Sequence, residues 1–293
     1  MRSFFKRTAL LLTILLVVWC FIAPSCMTFR KADAEMKQKF QASGIELKTG
    51  FQLVEGRTLH YALTGSDSLP TLYFVHGTPG SWDAFESYLS DSSLLKKYRM
   101  VSIDRPGFGY SDFGKACNLR EQSDIISPLF KKLGNGKPSY IIGHSMGGPM
   151  IVKLAADNPG VFSAMVILAG SEDPAAEKKE KWRPILFKTP LNLLIPGALR
   201  PSNEELWYLK KDLVDLKQDF PKVKCPVYIL HGQKDQLVPV SNAEYARKSL
   251  INASKVDIHY FPNENHFIPW TQFAFIQKLL LNLDSSSYRM DSE

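Results

Sequence analysis

The stretch SYIIGHSMGGPMIVKLAAD, residues 139–157, carries the reading of the fold. Ser139–Ile142 is a short apolar run of the kind that forms a buried parallel strand. Met146–Asp157 recurs at helical spacing and stops at Asn158-Pro159. Between them, Gly143-His144-Ser145-Met146-Gly147 has the G-x-S-x-G pattern of a tight turn from strand to helix. Such a turn is too crowded for side chains two residues away from the serine, which accounts for both glycines. It holds Ser145 in a strained backbone conformation, with its hydroxyl lifted above the strand ends. It also places the unpaired N–H groups of a helix start where negative charge would develop. An ordinary serine in a tight turn is the bland alternative, and the flanking strand and helix argue against it.

Working outward, further strand signatures appear at Arg57–Leu63, Thr71–Val75, Met100–Ile103, Ala164–Leu168, Val227–Leu230 and Val256–Tyr260, and a last helix at Trp270–Leu283. Strands alternating with helices predict an α/β protein: a mostly parallel sheet with helices on both faces. The rhythm breaks over residues 171–222, where no strand is readable. A charged helical stretch comes first, then a Pro-rich run from Pro184 to Pro201, then a helix with Leu206, Leu209, Leu213, Leu216 and Phe220 at helical spacing. Ser202 and Glu205 have the spacing of a capping box for that helix. The expected organisation is a core over 45–170 and 223–284, a helical cap over 171–222 above the active-site edge, and a polar tail over 285–293.

A serine hydroxyl is a poor nucleophile until a base takes its proton. Of the six histidines, His266 lies in the polar loop Asn263-Glu264-Asn265-His266 after the last strand and is the best candidate. His76 and His231 precede glycines at strand ends and read as loop-shaping residues. His60 and His259 fall in alternating strands, where a surface or pairing role is commoner. His144 adjoins the serine and is expected to point away. The third member must orient the imidazole and stabilise its cation. Asp235, in the tight loop after Val227–Leu230, is favoured; Glu172 and Asp173, after Ala164–Leu168, are the rival acids. In the loop His76-Gly77-Thr78-Pro79-Gly80, Thr78 offers an N–H that can join that of Met146 as an oxyanion hole, whereas Pro79 has none to offer.

His76-Gly77, Asp104-Arg105-Pro106-Gly107-Phe108-Gly109, the serine turn, Asp235 and His266 together resemble the α/β-hydrolase superfamily over about residues 46–284. The resemblance implies a Ser145-Asp235-His266 triad in that chain order, an acyl-enzyme mechanism and no metal or organic cofactor. It also implies a structural role for Asp104. His76–Gly80 is similar to proline iminopeptidases, although Met146 stands where those usually carry Trp. Haloalkane dehalogenases and epoxide hydrolases share the layout but need an Asp nucleophile where this chain has Ser145.

The expected activity is cleavage of a small-molecule carboxylic ester, with an amide as the alternative bond. The cap helix offers apolar residues and no obvious charge for a peptide terminus; Trp182, Phe187, Trp207 and Trp270 are candidate pocket residues or core packing. A surface-anchored binding protein on the same fold is the reading from a different class. The formal charge of +7 falls to +4 once Arg2, Lys6 and Arg7 are set aside, and the remaining bases are interleaved with acids. That excludes a nucleic-acid footprint.

The basic start, the apolar run Ala9–Ile22 and then Ala23-Pro24-Ser25-Cys26 predict an export signal over residues 1–25. The small residues before Cys26 resemble a bacterial lipobox, which implies lipidation at Cys26, a membrane-anchored lipoprotein of the cell envelope and a polar tether over 26–44. Ordinary cleavage and an uncleaved anchor remain alternatives. Cys117 and Cys225 are expected as free thiols.

Overall fold

The computed structural model describes residues 1–178 and 180–284 together with Met290; the expected tail over 285–293 otherwise lies outside the described residues. The chain opens with α1 (Arg2–Ile22) and α2 (Asp33–Ala42), then enters β1 (Lys48–Val54), β2 (Arg57–Thr64) and β3 (Thr71–Val75). Two short helices, α3 (Glu86–Leu89) and α4 (Ser92–Lys97), lead to β4 (Arg99–Ile103). There follow α5 (Leu119–Leu133), β5 (Ser139–His144), α6 (Gly147–Asp157) and β6 (Ala164–Leu168). An insertion holding α7 (Arg183–Phe187), a 3-10 turn at Pro190–Leu194 and α8 (Leu199–Leu216) precedes β7 (Val227–Gly232). The chain closes with α9 (Ser241–Ser249), β8 (Val256–Phe261), α10 (Ile268–Thr271) and α11 (Phe273–Leu280).

The eight strands form one sheet in the order β1-β2-β4-β3-β5-β6-β7-β8. The β1–β2 and β2–β4 pairs are antiparallel, and every pair from β4 to β8 is parallel. Strands β3, β4, β5, β6 and β7 are apolar on both faces because helices cover both faces. Side chains of α5, α6, α8 and α9 pack on one face; those of α2, α3, α4, α10 and α11 pack on the other. The expected mostly parallel α/β sheet is the observed fold.

Several local expectations need correction. Strand β1 was not among the expected strands: as an edge strand it buries no residue fully, and Phe51 and Leu53 are exposed, so the usual apolar alternation is missing. The charged stretch after β6 is turn rather than helix. Ser202 does not cap a helix, because α8 already begins at Leu199 and Ser202 is buried inside it. The expected tether instead contains α2, whose Met36 and Phe40 are fully or nearly fully buried against the sheet. Burying two such side chains contributes about 1.5–3 kcal/mol each toward holding this ten-residue helix on the sheet. The expected final helix is broken at Gln272, whose side chain, with that of Thr271, donates to the Glu264 carboxylate. Those two bonds tie the loop carrying His266 to the helix that follows.

Candidate active site

Ser145 stands between β5 and α6 with φ +56°, the left-handed conformation that the tight turn requires. The glycines around it answer to crowding: a Cβ on Gly143 would meet the Gly147 carbonyl oxygen at 2.2 Å, and one on Gly147 would meet that of Val75 at 2.2 Å. The Ser145 N–H donates to the Leu168 carbonyl at 3.0 Å, and its own carbonyl accepts from Gly148 at 2.8 Å. The turn is therefore held from β6 and from within α6. Met146 is the N-cap residue of α6, directly after Ser145.

The loop after β3 passes so close that a Cβ on Gly77 would lie 2.9 Å from the Ser145 Cβ. Its shape is fixed by Arg105, from the turn after β4. The Arg105 guanidinium donates to the carbonyls of His76 at 2.9 Å and Gly77 at 3.0 Å, and its N–H donates to His76 Nε2 at 3.0 Å. His76 therefore accepts at Nε2 and donates from Nδ1 to the Gly77 carbonyl at 2.7 Å. Burial and the Arg105 charge hold this imidazole neutral, its pKa far below the ordinary histidine value. Thr78, next along the loop, has its hydroxyl oxygen buried without a partner among the described residues.

Arg105 is itself fully buried and is neutralised from the insertion. Glu205 of α8 takes it in a two-pronged ion pair, with Nη2–Oε2 at 3.1 Å, and Gln122 of α5 bridges them at 3.0 Å to Arg105 and 2.8 Å to Glu205. Sequence reading assigned Glu205 to a helix cap and gave Arg105 and Gln122 no role. A signal was present: Glu205 lies four residues before Leu209, so its charge falls on the apolar stripe of α8.

Asp235 and His266 are brought together. Asp235 Oδ2 lies 2.7 Å from His266 Nδ1, with the Asp235 carboxylate shielded from solvent. Oδ1 accepts the N–H groups of Leu237 at 2.9 Å and Val238 at 2.8 Å. Burial opposes the Asp235 charge, but the His266 hydrogen bond and these two N–H groups outweigh it and hold the carboxyl below the ordinary aspartate range. His231 shapes the same loop, bonding the Val238 carbonyl at 3.0 Å.

His144 does not point away. Its Nε2 donates to the His266 carbonyl at 3.0 Å, and the two rings pack at a 43° tilt with centroids 4.8 Å apart. Burial and the neighbouring His266 push its pKa down to about 3, so it is a neutral wedge. Because His144 immediately precedes Ser145, this contact brings the His266 loop against the end of β5. Trp270 stands edge-on to His144 at 5.2 Å.

The rival acids are placed otherwise. Glu172 is fully buried against Gly148 and Gly170, and neither carboxylate oxygen has a hydrogen-bond partner among the described residues. Burial pushes its pKa well above the ordinary value. Asp173 accepts the Ala175 N–H at 2.8 Å. His60 is buried between Asp104 at 2.8 Å and Asp33 of α2 at 3.0 Å, a pairing role but not a surface one. Asp104 also accepts the N–H groups of Trp82 and Tyr110, at 2.6 and 2.8 Å. Cys117 is buried and Cys225 half-buried, and both are free; Cys26 is also free and half-buried, its N–H closing a turn onto the Ala23 carbonyl. Among the described residues no group of three or more His, Cys, Asp or Glu side chains is arranged to hold a metal ion.

Comparison with known proteins bears on what such a sheet edge does. Residues 70–203 match the alpha/beta hydrolase fold family and residues 211–271 the dienelactone hydrolase family. A 2-hydroxy-6-oxononadienedioate/2-hydroxy-6-oxononatrienedioate hydrolase of Burkholderia vietnamiensis is 23% identical, over 76% of this chain and 89% of its own. A monoacylglycerol lipase of Mycolicibacterium smegmatis is 26% identical, over 55% of this chain and 67% of its own. The crystal structure of a membrane phospholipase A superposes with a TM-score of 0.61 at 18% identity, covering 98% of this chain and 100% of that one. Two family matches lie end to end along the sheet, and the relatives that span the chain cleave bonds with water. The chain is a hydrolase belonging to the α/β-hydrolase superfamily.

Proposed function

We propose that this hydrolase cleaves carboxylic esters through an acyl-enzyme formed on Ser145. The observation that carries the reading is the buried 2.7 Å Asp235–His266 pair, seated against the end of the strand that presents Ser145. Ser145 Oγ attacks the ester carbonyl while His266 Nε2 takes its proton. Asp235, held ionised by two N–H groups and His266, fixes the Nδ1–H tautomer and stabilises the imidazolium. The negative oxygen of the tetrahedral intermediate is received by the N–H groups of Thr78 and Met146, each such donor contributing about 2.7–4 kcal/mol. Collapse expels the alcohol, which takes the proton from His266. Water then attacks the acyl-enzyme by the same steps in reverse and releases the acid. The helical insertion over 171–222 acts as the cap, and Glu205 sets the oxyanion loop through Arg105.

An ester fits better than a peptide N-terminus because the buried acids near the site are unsuited to receive an amine. Glu205 is occupied by Arg105, and Glu172 is enclosed and neutral. Labelling by a fluorophosphonate tests the reading without a known substrate. Labelling abolished in Ser145→Ala and much reduced in His266→Ala is the expected result. Failure of the folded wild-type protein to label would overturn the serine mechanism and favour a binding protein on this fold.

A further inference from the structure

Helix α1 and the 3-10 turn that follows it carry a candidate membrane span, Phe4–Ser25, of 22 residues with Lys6 and Arg7 near its start. At about 1.5 Å per residue its uncharged part, Thr8–Ser25, is roughly 27 Å long, near the thickness of a bilayer's hydrocarbon layer. Arg2, Lys6 and Arg7 mark its N-terminal end, and the first acidic residue in the chain is Asp33. An export signal that is cut away would leave the catalytic unit untouched. The end of this helix, however, is built into the insertion. The Trp19 indole donates to the Leu194 carbonyl at 2.9 Å, the Gly197 N–H to the Ala23 carbonyl at 2.9 Å, and the Ala198 N–H to the Met27 carbonyl at 3.1 Å. Ala23 is fully buried in that junction. Removing residues 1–25 would strip two of these three bonds and uncover the buried seam.

The junction also sets depth. If α1 spans a bilayer, Trp19 and Ala23 lie where the hydrocarbon meets the headgroups, the level that tryptophan favours. The turn bonded to them must then lie at the same level. Its exposed side chains suit that position: Leu191 and Leu193 on the 3-10 turn, and Trp182 and Ile185 at α7, are between 42% and 56% exposed. Arg200 binds the carbonyls of Leu193 and Ile195 at 3.0 and 2.6 Å, and no ion pair is formed by it or by Lys188 among the described residues, whereas Arg183 is paired with Glu180. Apolar side chains beside the unpaired cations Lys188 and Arg200 match a phospholipid surface with anionic headgroups.

We infer that α1 is retained as a membrane anchor and that the outer turns of the insertion, Trp182 to Leu193, rest in the interfacial layer of the same bilayer. The site beneath the insertion then takes long-chain acyl esters directly from that bilayer. The substrate half of this inference rests on the ester-hydrolase reading; the docking half does not.

The test uses the full chain. Intact mass of protein extracted from membranes should be that of the 33.1 kDa chain, and a product beginning at Cys26 would overturn the inference. The chain is then reconstituted in vesicles of phosphatidylcholine and phosphatidylglycerol brominated near the headgroup. Wild-type tryptophan emission should be quenched more than that of Trp182→Phe, by about one fluorophore's share. Equal quenching would overturn the docking. So would ready quenching of Trp182 by aqueous acrylamide, or its protection from both quenchers, which would mean a protein partner or a second copy covers the turn. The double variant Ile185→Asp, Leu193→Asp should lose about tenfold in hydrolysis of a vesicle-embedded long-chain ester, yet stay within about twofold on a water-soluble short-chain ester. Equal losses on both would assign these turns to the pocket and overturn the bilayer route. Should the wild type fail to label with fluorophosphonate, the mass and quenching results still decide the docking.

Discussion

Two loops leave adjacent strands of the sheet at the same edge, and each carries a buried carboxylate. After β7, Asp235 accepts two backbone N–H groups and an imidazole and is held ionised. After β6, Glu172 is more deeply enclosed, has no partner for either oxygen among the described residues, and is pushed toward its neutral form. Burial is common to both; hydrogen bonding separates them. A carboxylate can steady an imidazolium only if its surroundings already accommodate the charge, so depth alone is a poor guide to the acid of a triad.

Exchanging each acid for its amide tests the contrast most severely. Asp235→Asn should lower kcat/KM for an activated ester by about 10³–10⁴-fold, because the amide favours the wrong His266 tautomer. Glu172→Gln should change it by less than about threefold, as a group that touches neither imidazole nor substrate should. Comparable losses in steady-state assays would erase the distinction.

Glu205 extends the comparison to a third buried carboxylate, one satisfied by a cation. Glu205→Gln leaves Arg105 buried with its charge uncompensated, which should cost about 3–5 kcal/mol in denaturant unfolding. Because Arg105 holds the His76 and Gly77 carbonyls, kcat should fall about 10- to 100-fold with KM little changed. A change confined to KM would mean that the insertion shapes binding and leaves the loop beside Ser145 without a part in the transition state.

The two acids also oppose each other in pH dependence. The Asp235 pKa is lowered on folding, so its contribution is complete above the ordinary aspartate value of 3.8 and is lost as pH falls through the folded value. The Glu172 pKa is raised, so above the ordinary value of 4.5 the unfolded chain gives up a proton that the folded chain keeps. Stability therefore falls as pH rises toward the folded value. Relative to wild type, the melting temperature of Glu172→Gln should climb between pH 5 and pH 8; a constant offset by calorimetry would contradict the neutral, enclosed acid.

The smallest effect concerns His60. Burial opposes its charge, but Asp104 and Asp33 outweigh this and raise its pKa to about 9. Its stabilisation is complete below the ordinary value of 6.5 and is lost as pH rises through about 9. Asp33→Asn should lower the melting temperature by roughly 2–4 °C at pH 7 and by less at pH 10.

The paired motifs show how much was legible. Asn118 and Glu121 form a capping box in the structure, with both reciprocal bonds made. Ser202 and Glu205 have the same spacing and form none, because α8 starts a turn earlier and Glu205 is drawn inward by Arg105. Local spacing states which bonds are available; a stronger distant partner decides which are made. His144 behaves alike: its neighbourhood to Ser145 suggested a residue turned aside, yet the returning loop gives it the His266 carbonyl to bind.

From residues 139–157 and the strand signatures around them, the chain alone determined a mostly parallel α/β sheet with a serine on a tight turn, because buried strands and glycine-bounded turns leave periodic, local marks. It also marked Asp235 and His266 as residues in loops at strand ends. Only the tertiary structure decided that these two meet, that Glu172 is sealed off, that α2 packs on the sheet, and that the α8 carboxylate Glu205 pairs with the arginine holding the loop beside Ser145. Those outcomes depend on groups as much as 100 residues apart in the chain. A charge or a hydrogen bond acts through distance in space, and the sequence writes down only distance along the chain.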